Sequence, residues 1–243
     1  MSAALSAEAI EAIALSLRVA ALATALSLPL GVAVALALAR GRFPGRAALD
    51  GLVHLPLVLP PVVTGYLLLL AFGAQGPLGR LLAEVGIVLA FRWTGAALAG
   101  AVMGFPLMVR AIRLSLEAVD PKLEEAAATL GAGRVAAFLL VTLPLMLPGI
   151  LAGAILAFAK ALGEFGATIT FVSNIAGETR TLPSAIYTAL QTPGGEREAI
   201  ALTLAAIAVS LAALFGADWV SRRVARLVGA GRPGPGDGLG TRR

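Results

Sequence analysis

The chain has 243 residues, of which 58% are hydrophobic and 14% charged, with a mean hydropathy of +0.90 and a formal net charge of +5. Soluble domains are less apolar and about 25% charged, so the composition indicates an integral membrane protein with no soluble second domain. The chain has no cysteine and a single histidine, His54, which excludes a disulfide, a thiolate site and a histidine-based metal cluster.

Five stretches are apolar enough to cross the hydrocarbon core as helices, which takes about 20 residues each. They are residues 13–39, 52–72, 94–116, 138–162 and 199–220. Leu and Ala dominate these stretches and alternating strand patterns are absent, so the sequence predicts an all-α membrane protein with five spans. Five membrane-spanning helices are too few to surround a transport pathway, and a symmetric dimer is the simplest way to enclose one.

The distribution of arginine predicts the orientation in the membrane, because Lys and Arg are enriched in cytoplasmic loops. The segment before the first span holds Glu8 and Glu11 and no basic residue, whereas the next loop holds Arg40, Arg42 and Arg46. We therefore expect the N-terminus outside and, with five spans, the C-terminus in the cytoplasm. The arginines lack interleaved aromatic residues, so they are attributed to orientation and not to nucleic-acid binding.

This orientation divides the chain into three regions. Residues 1–12 form an external segment, residues 13–228 form the transmembrane domain, and residues 229–243, rich in Gly and Pro, form a disordered cytoplasmic tail. Within the transmembrane domain, residues 73–93 and 164–198 are expected to be external loops. Part of the second loop, SNIAGETRTLPS, is a candidate surface for an external binding protein, although an ordinary loop explains it equally well.

A polar interval predicts a short helix between the third and fourth spans. Asp120 is a suitable N-cap and Pro121 a suitable first helical residue, while Glu124 lies near the positive end of the helix dipole. Either Gly131 or Gly133 ends the helix by adopting a left-handed conformation. The helix would have about three turns and a length of about 16 Å, too short and too polar to span the membrane.

One face of this helix carries small residues between two leucines, so that another surface can approach closely. The face consists of Leu123, Ala126, Ala127 and Leu130. Two explanations remain open: the helix is a connector that packs on its own bundle, or it docks on a partner.

The same interval resembles the EAA loop of ABC importer permeases. Glu125, Ala126 and Ala127 are followed after three residues by Gly131, and the interval 120–144 closes with a Val-Thr-Leu-Pro sequence ending in Pro144. In that family the loop is the coupling helix that docks into a cleft of the cytoplasmic ATPase. The resemblance therefore implies that these five residues couple the chain to an ATPase.

The resemblance covers residues 15–220 and is closest to molybdate importer permeases, which PLVLPPVVTGYLLLLAFG and GETRTLPSAIYTALQ resemble. It implies a type I ABC importer transmembrane domain that works as a homodimer in membrane lipid, with two cytoplasmic ATPase subunits and an external oxyanion-binding protein. Sulfate and thiosulfate permeases share a Gly-Glu-aromatic-Gly element with this chain, so these ions and tungstate remain alternative substrates. No Gly-Lys-Ser/Thr phosphate loop occurs, so ATP and Mg are assigned to the partner ATPase.

Four residues of the second span are candidates for a pathway or gate. Pro60 and Pro61 remove backbone donors and bend the helix, either to fit the bundle or to line a gate. Thr64 and Gly65 are small and polar enough to face a water-filled path, but close packing explains them as well.

Lys160 and Glu164 lie four residues apart at the end of the fourth span, so they can pair on one helical face. A structural ion pair is favoured over direct contact with a translocated anion. No catalytic or metal site is predicted, because paired carboxylates and a serine with a histidine are absent at membrane depth. An ATP-independent channel or secondary carrier is the alternative function.

Overall fold

A computed structural model describes residues 6–229, which contain helices and no strand. Residues 138–142 form a single π-helical turn, called the π turn below. In chain order the α-helices are α1 Ala7–Arg40, α2 Arg46–Val58, α3 Pro61–Phe72, α4 Pro77–Glu84, α5 Trp93–Glu117, α6 Pro121–Thr129, α7 Arg134–Ala137, α8 Leu143–Leu162, α9 Gly166–Val172, α10 Leu182–Gln191 and α11 Glu196–Gly229.

Within the described residues, four helices are long and apolar enough to cross a membrane. They are α1, α5, the continuous helix made of α7, the π turn and α8, and α11 over Glu196–Gly216. Together α2 and α3 have the composition of a fifth span, but they are bent by 117° at the break between them. The predicted span 52–72 is therefore not one continuous helix.

The break in the second span lies at the paired prolines. Leu59 has φ −71° and ψ 142°, and Pro60 has φ −54° and ψ 135°, so both are extended, while Pro61 is the first residue of α3. A proline disfavours the helical conformation of the residue before it and has no N–H to donate. The bend predicted from Pro60 and Pro61 is present, and it is sharper than a kink within one helix.

The centre of the bundle is α5, which packs closely against α1 and α8. The contact with α8 depends on glycines: a Cβ atom on Gly104 would lie 2.9 Å from the Ala157 carbonyl oxygen, and one on Gly100 would lie 3.0 Å from the Ala161 Cβ. Small residues let helix backbones approach in a membrane, where van der Waals packing drives association. The three helices therefore form a closely packed unit.

The prediction that residues 164–198 form a loop is wrong, because this region contains α9 and α10, whereas its external location stays a prediction. Helix α9 packs between α3 and α5, and its residues Phe171 and Val172 are fully buried. At seven residues α9 is far below the length that spans a membrane. Its burial depends on α3 and α5, which a search for long apolar stretches does not consider.

The ends of the first and last helices also differ from the predicted spans. Helix α1 begins at Ala7, because the Ser6 side chain accepts a hydrogen bond from the Ala9 N–H at 3.2 Å, so the predicted external segment is helical from residue 7 onwards. Helix α11 exceeds the predicted span 199–220 at both ends. Residues 1–5 and 230–243, which include nearly all of the predicted tail, lie outside the described residues.

Charged contacts mark the two ends of the bundle. At one end, called the basic end below, Arg113 contacts Asp50 at 3.2 Å and Arg40 contacts Glu124 at 2.5 Å. At the opposite end the Arg18 guanidinium lies 3.8 Å from the centre of the Trp93 ring, a cation–π contact. Helix α6 lies at the basic end.

Candidate functional site

The start of α6 is the one predicted from the sequence. The Asp120 side chain accepts a hydrogen bond from the Lys122 N–H at 3.0 Å, and Pro121 is the first helical residue. The cap satisfies one of the backbone donors that every helix leaves unpaired at its start, and a proline there forfeits no hydrogen bond.

The end of α6 is a Schellman motif formed by Gly131. Its φ is +88°, the Gly131 N–H donates to the Ala128 carbonyl at 3.0 Å, and the Ala132 N–H donates to the Ala127 carbonyl at 3.0 Å. Gly131 is thus the terminating glycine, whereas Gly133 has φ −64°. The helix has nine residues, about 13 Å at 1.5 Å per residue, which is slightly shorter than predicted.

Helix α6 has no buried residue. Leu130 is 88% exposed and Leu123 is 46% exposed, and Ala126 and Glu125 are exposed with them. Ala127, which the sequence places on the same face, is half-buried, and α6 contacts the π turn and α7. An apolar surface exposed on a helix outside the bundle is typical of a contact with another protein.

Pro144 lies in the first turn of α8, directly after the π turn. A proline cannot donate to the carbonyl four residues earlier, and its ring clashes with that carbonyl, so the helix must widen or kink before it. The Leu143 N–H accordingly donates to the Phe138 carbonyl, five residues earlier. Pro144 therefore sets the geometry of the segment on which α6 packs.

Glu124 connects α6 to two other helices. Its carboxylate accepts hydrogen bonds at 2.5 and 2.7 Å from Arg40, the last residue of α1, and another from the Thr142 hydroxyl in the π turn. Burial alone would raise the pKa of Glu124, but the hydrogen bonds from Arg40 and Thr142 and the Arg40 charge outweigh it and hold this pKa below its usual value. Arg40 is 84 residues distant in sequence, so no local pattern indicated this group.

The four pathway candidates of the second span differ in their exposure. Pro60 and Pro61 are exposed at the break, whereas Thr64 and Gly65 are buried. A Cβ atom on Gly65 would lie 2.8 Å from the Ala167 Cα, so α3 and α9 are in backbone contact there. Within residues 6–229 the buried Thr64 hydroxyl oxygen has no hydrogen-bond partner.

The ion pair predicted from sequence spacing is present at the junction of α8 and α9. The Lys160 Nζ lies 2.6 Å from a Glu164 carboxylate oxygen, and the other oxygen accepts a hydrogen bond from the Ala167 N–H at 2.9 Å. The side chain of Glu164 is 2% exposed and that of Lys160 is 31% exposed. Glu164 therefore also anchors the start of α9, which the sequence did not indicate.

Hydrogen bonds also order the segment proposed as a binding-protein surface. The Asn174 amide donates to the Thr188 hydroxyl at 2.6 Å and accepts from Arg180 at 3.1 Å, while Thr179 is fully buried. Within residues 173–184, residues 175–177 are exposed and the others are half-buried or buried. Any external partner would therefore contact a short tip of this segment.

Two groups of predicted residues thus lie apart in the fold. Glu125, Ala126, Ala127 and Gly131 lie at the basic end, where α6 contacts the segment before Pro144. Lys160, Glu164, Thr64 and Gly65 lie around the start of α9, with Pro60 and Pro61 at the nearby break in the second span.

Comparison with known families gives a match over most of the chain. Residues 27–228 match the family described as the inner membrane component of binding-protein-dependent transport systems. The matched region includes α6, the π turn and both parts of the broken span.

Three curated relatives illustrate the similarity. Over 184 residues, 75% of this chain and 80% of the relative, the chain is 62% identical to the molybdenum transport system permease protein ModB of Escherichia coli K12. Over 193 residues, 79% of this chain and 84% of the relative, it is 55% identical to ModB of Haemophilus influenzae. Over 189 residues, 78% of this chain and 68% of the relative, it is 40% identical to the sulfate transport system permease protein CysT of Salmonella typhimurium.

Solved structures share the fold at low sequence identity. A bacterial alginate ABC transporter in complex with a periplasmic protein has a TM-score of 0.70 at 22% identity, covering 90% of this chain and 80% of that chain. An amino acid ABC transporter has a TM-score of 0.65 at 20% identity, covering 89% of this chain and 94% of that chain. The fold class predicted from the sequence, an all-α type I ABC importer transmembrane domain, is confirmed.

Proposed function

Since the chain belongs to the family of inner membrane components of binding-protein-dependent transport systems, we propose that it translocates an oxyanion, specifically molybdate, driven by ATP hydrolysis on a partner. The chain is the permease subunit of an ABC importer. It binds no cofactor of its own in this proposal, and ATP and Mg belong to the ATPase.

The exposed helix at the basic end carries the proposal. Helix α6 has a side-chain cap at one end, a Schellman motif at the other and no buried residue, so it is a short rigid body with exposed Leu123 and Leu130. Such a helix suits a docking contact that transmits force, and Glu125, Ala126, Ala127 and Gly131 carry the family's coupling sequence on it. Rigid-body displacement of α6 by a closing ATPase would then change the access of the bundle.

The proposed assembly is a homodimer of this chain with two cytoplasmic ATPase subunits and an external binding protein that supplies most of the selectivity. The arginines at the basic end favour a cytoplasmic location for α6, because positively charged loops are retained inside. The proposed topology therefore has the N-terminus outside and the C-terminus in the cytoplasm.

The choice of molybdate is supported by the identities of the relatives. The two relatives named for molybdenum transport are 62% and 55% identical to this chain, whereas the relative named for sulfate transport is 40% identical. Tungstate resembles molybdate in charge and shape, so it remains an alternative substrate that sequence identity to these relatives does not distinguish from molybdate. Sulfate and thiosulfate are less well supported.

Uptake by reconstituted vesicles tests the function directly. The chain is reconstituted with its ATPase and binding protein, and uptake of molybdate, tungstate, sulfate and thiosulfate is measured with ATP inside the vesicle. We expect molybdate uptake that stops when ATP is replaced by a non-hydrolysable analogue. Uptake by the chain alone without ATP would instead identify a channel or secondary carrier, and preferential sulfate uptake would overturn the substrate.

Cysteine labelling tests the orientation independently, because the chain contains no native cysteine. Ala126→Cys on α6 and Ala176→Cys at the exposed tip of residues 175–177 are compared in intact cells with a membrane-impermeant maleimide. We expect reaction at Ala176→Cys only. Reaction at Ala126→Cys in intact cells would place α6 outside and refute ATPase coupling.

A further inference from the structure

Helix α6 is held to the bundle by few interactions. None of its residues is buried, so apolar burial contributes little to its position. Within residues 6–229, the side-chain hydrogen bonds that join α6 to another helix all involve Glu124. The orientation of α6 therefore depends on one carboxylate to an unusual degree.

The two partners of Glu124 belong to different membrane-spanning helices. Arg40 ends α1, and its charge-assisted hydrogen bonds to Glu124 are short, at 2.5 and 2.7 Å. Thr142 is fully buried in the π turn, which is continuous with α8. Both α1 and α8 pack on α5, so Glu124 reaches the two outer members of the closely packed unit.

The Arg40–Glu124 pair is partly exposed to water, which limits its contribution to stability. The side chains of Arg40 and Glu124 are 37% and 25% exposed, so water screens the pair and its net contribution to the stability of the whole bundle is small. A carboxylate that is hydrogen-bonded to two partners nevertheless restricts the orientation of α6, because both partners must stay within about 3 Å of it. The π turn itself belongs to a rare class that concentrates at functional sites.

We propose that Glu124 is a positioning residue that makes α6, α1 and α8 move as one body, through its simultaneous contacts with Arg40 and Thr142. A displacement imposed on α6 is then delivered to two membrane-spanning helices at once. Without Glu124, α6 still docks on its partner, but it swings against the bundle and the displacement is lost. The inference rests on the proposed coupling function of α6 and adds the residue that transmits the motion.

The first measurement concerns the chain alone and is independent of substrate and ATPase. Hydrogen exchange of the α6 amides is compared in lipid nanodiscs for the unsubstituted chain, Glu124→Ala and Glu117→Ala. Glu117 is a matched control, since it accepts a hydrogen bond from Arg113 at 2.7 Å at the same end, but within one helix. We expect exchange in α6 to rise by up to about fivefold in Glu124→Ala, as for loss of a partly exposed ion pair, and to stay unchanged in Glu117→Ala. Equal exchange in all three chains would overturn the proposal.

The second measurement concerns coupling in the assembled importer. In Glu124→Ala we expect the ATPase to co-purify and hydrolyse ATP as before, while the molybdate taken up per ATP falls at least about fivefold. Glu117→Ala should leave this ratio unchanged. An unchanged ratio in Glu124→Ala would overturn the proposal, and so would loss of the ATPase from the complex, which would place Glu124 in the docking contact.

The two measurements separate this inference from the proposed function. If the unsubstituted complex takes up no molybdate, the proposed substrate is wrong, and hydrogen exchange still decides whether Glu124 holds α6. If uptake is normal and exchange in Glu124→Ala does not change, the importer assignment stands and the positioning role of Glu124 is refuted.

Discussion

Replacing Lys160 with alanine should destabilise the protein more than it changes the choice of oxyanion. The Glu164 carboxylate is almost completely buried and has two partners, the Lys160 ammonium at 2.6 Å and the Ala167 N–H at 2.9 Å. Lys160→Ala leaves this buried charge with a single backbone donor. The affected carboxylate also anchors the start of α9, which packs against Gly65 of α3.

The expected magnitude follows from the burial of the two side chains. Removing one partner of a fully buried ion pair destabilises a protein by about 3–5 kcal/mol. Since the Lys160 side chain is 31% exposed, water screens part of this effect, and we expect about 2–3 kcal/mol. For a chain of this size that corresponds to a decrease in melting temperature of about 5–10 °C.

The assay combines melting of the purified chain in detergent with uptake by the reconstituted complex. The matched variant is Lys160→Met with Glu164→Gln, which removes both charges and keeps the side-chain volumes, so it should recover most of the lost stability. The ratio of molybdate to sulfate uptake should be unchanged wherever the protein folds. An unchanged melting temperature in Lys160→Ala with an altered ratio would refute the structural role and identify Lys160 as an anion contact.

Three further outcomes are expected. Gly131→Ala should destabilise the end of α6 by about 1–2 kcal/mol and weaken ATPase co-purification, because φ is +88°, whereas Gly133→Ala, with φ −64° and equally open space, should have no effect. Gly65→Val should lower the free energy of unfolding, measured with a chemical denaturant, by about 1–3 kcal/mol, because the new side chain collides with the α9 backbone. The same change at exposed Gly51 should have no such effect, and equal effects at the two positions would contradict the close packing of α3 on α9. The pKa of Glu124 is lower in the folded than in the unfolded protein, so its stabilisation is present above the unfolded pKa and is lost as the pH falls through the folded pKa. The difference in melting temperature between the unsubstituted chain and Glu124→Gln should hold near neutral pH and decrease on acidification below the unfolded pKa of about 4.3, and a difference that grows on acidification would contradict this assignment.

The sequence predicted the long helices well because the bilayer acts on each helix separately. A helix in hydrocarbon must satisfy its own backbone, and it needs about 20 apolar residues to cross, so length and composition identify it without knowledge of its neighbours. Helices α1, α5, α8 and α11 were identified in this way. The errors were at their ends, where caps such as Ser6 extend a helix beyond its apolar stretch.

The same reasoning failed for α9 and α10. They are short helices within a region predicted as a loop, and α9 is buried because α3 and α5 cover it. The paired prolines at positions 60 and 61 predicted a bend but not its angle of 117°, nor the packing of α3 against α9. The sequence of one element alone does not predict how it packs against an element that is distant in sequence.

Helix α6 has local features that the sequence predicted and a distant contact that it did not. Its cap at Asp120 and its terminating Gly131 are local chemistry, so the sequence predicted the helix and the residues that resemble a coupling motif. The contact of Glu124 with Arg40 and Thr142 is not local, since it joins residues 84 and 18 positions apart.

By itself, the sequence determined that the protein is a bundle of membrane helices, that α6 begins at Asp120 and Pro121, and that Gly131 or Gly133 ends it. These properties depend on hydrophobic length, side-chain caps and backbone preferences, which act over a few turns of chain. Only the tertiary structure decided which groups distant in sequence meet: Glu124 with Arg40 of α1 and with Thr142 of the π turn, and Gly65 with the α9 backbone. Those contacts follow from the close approach of whole helices, which is set by the small residues on all of their faces together.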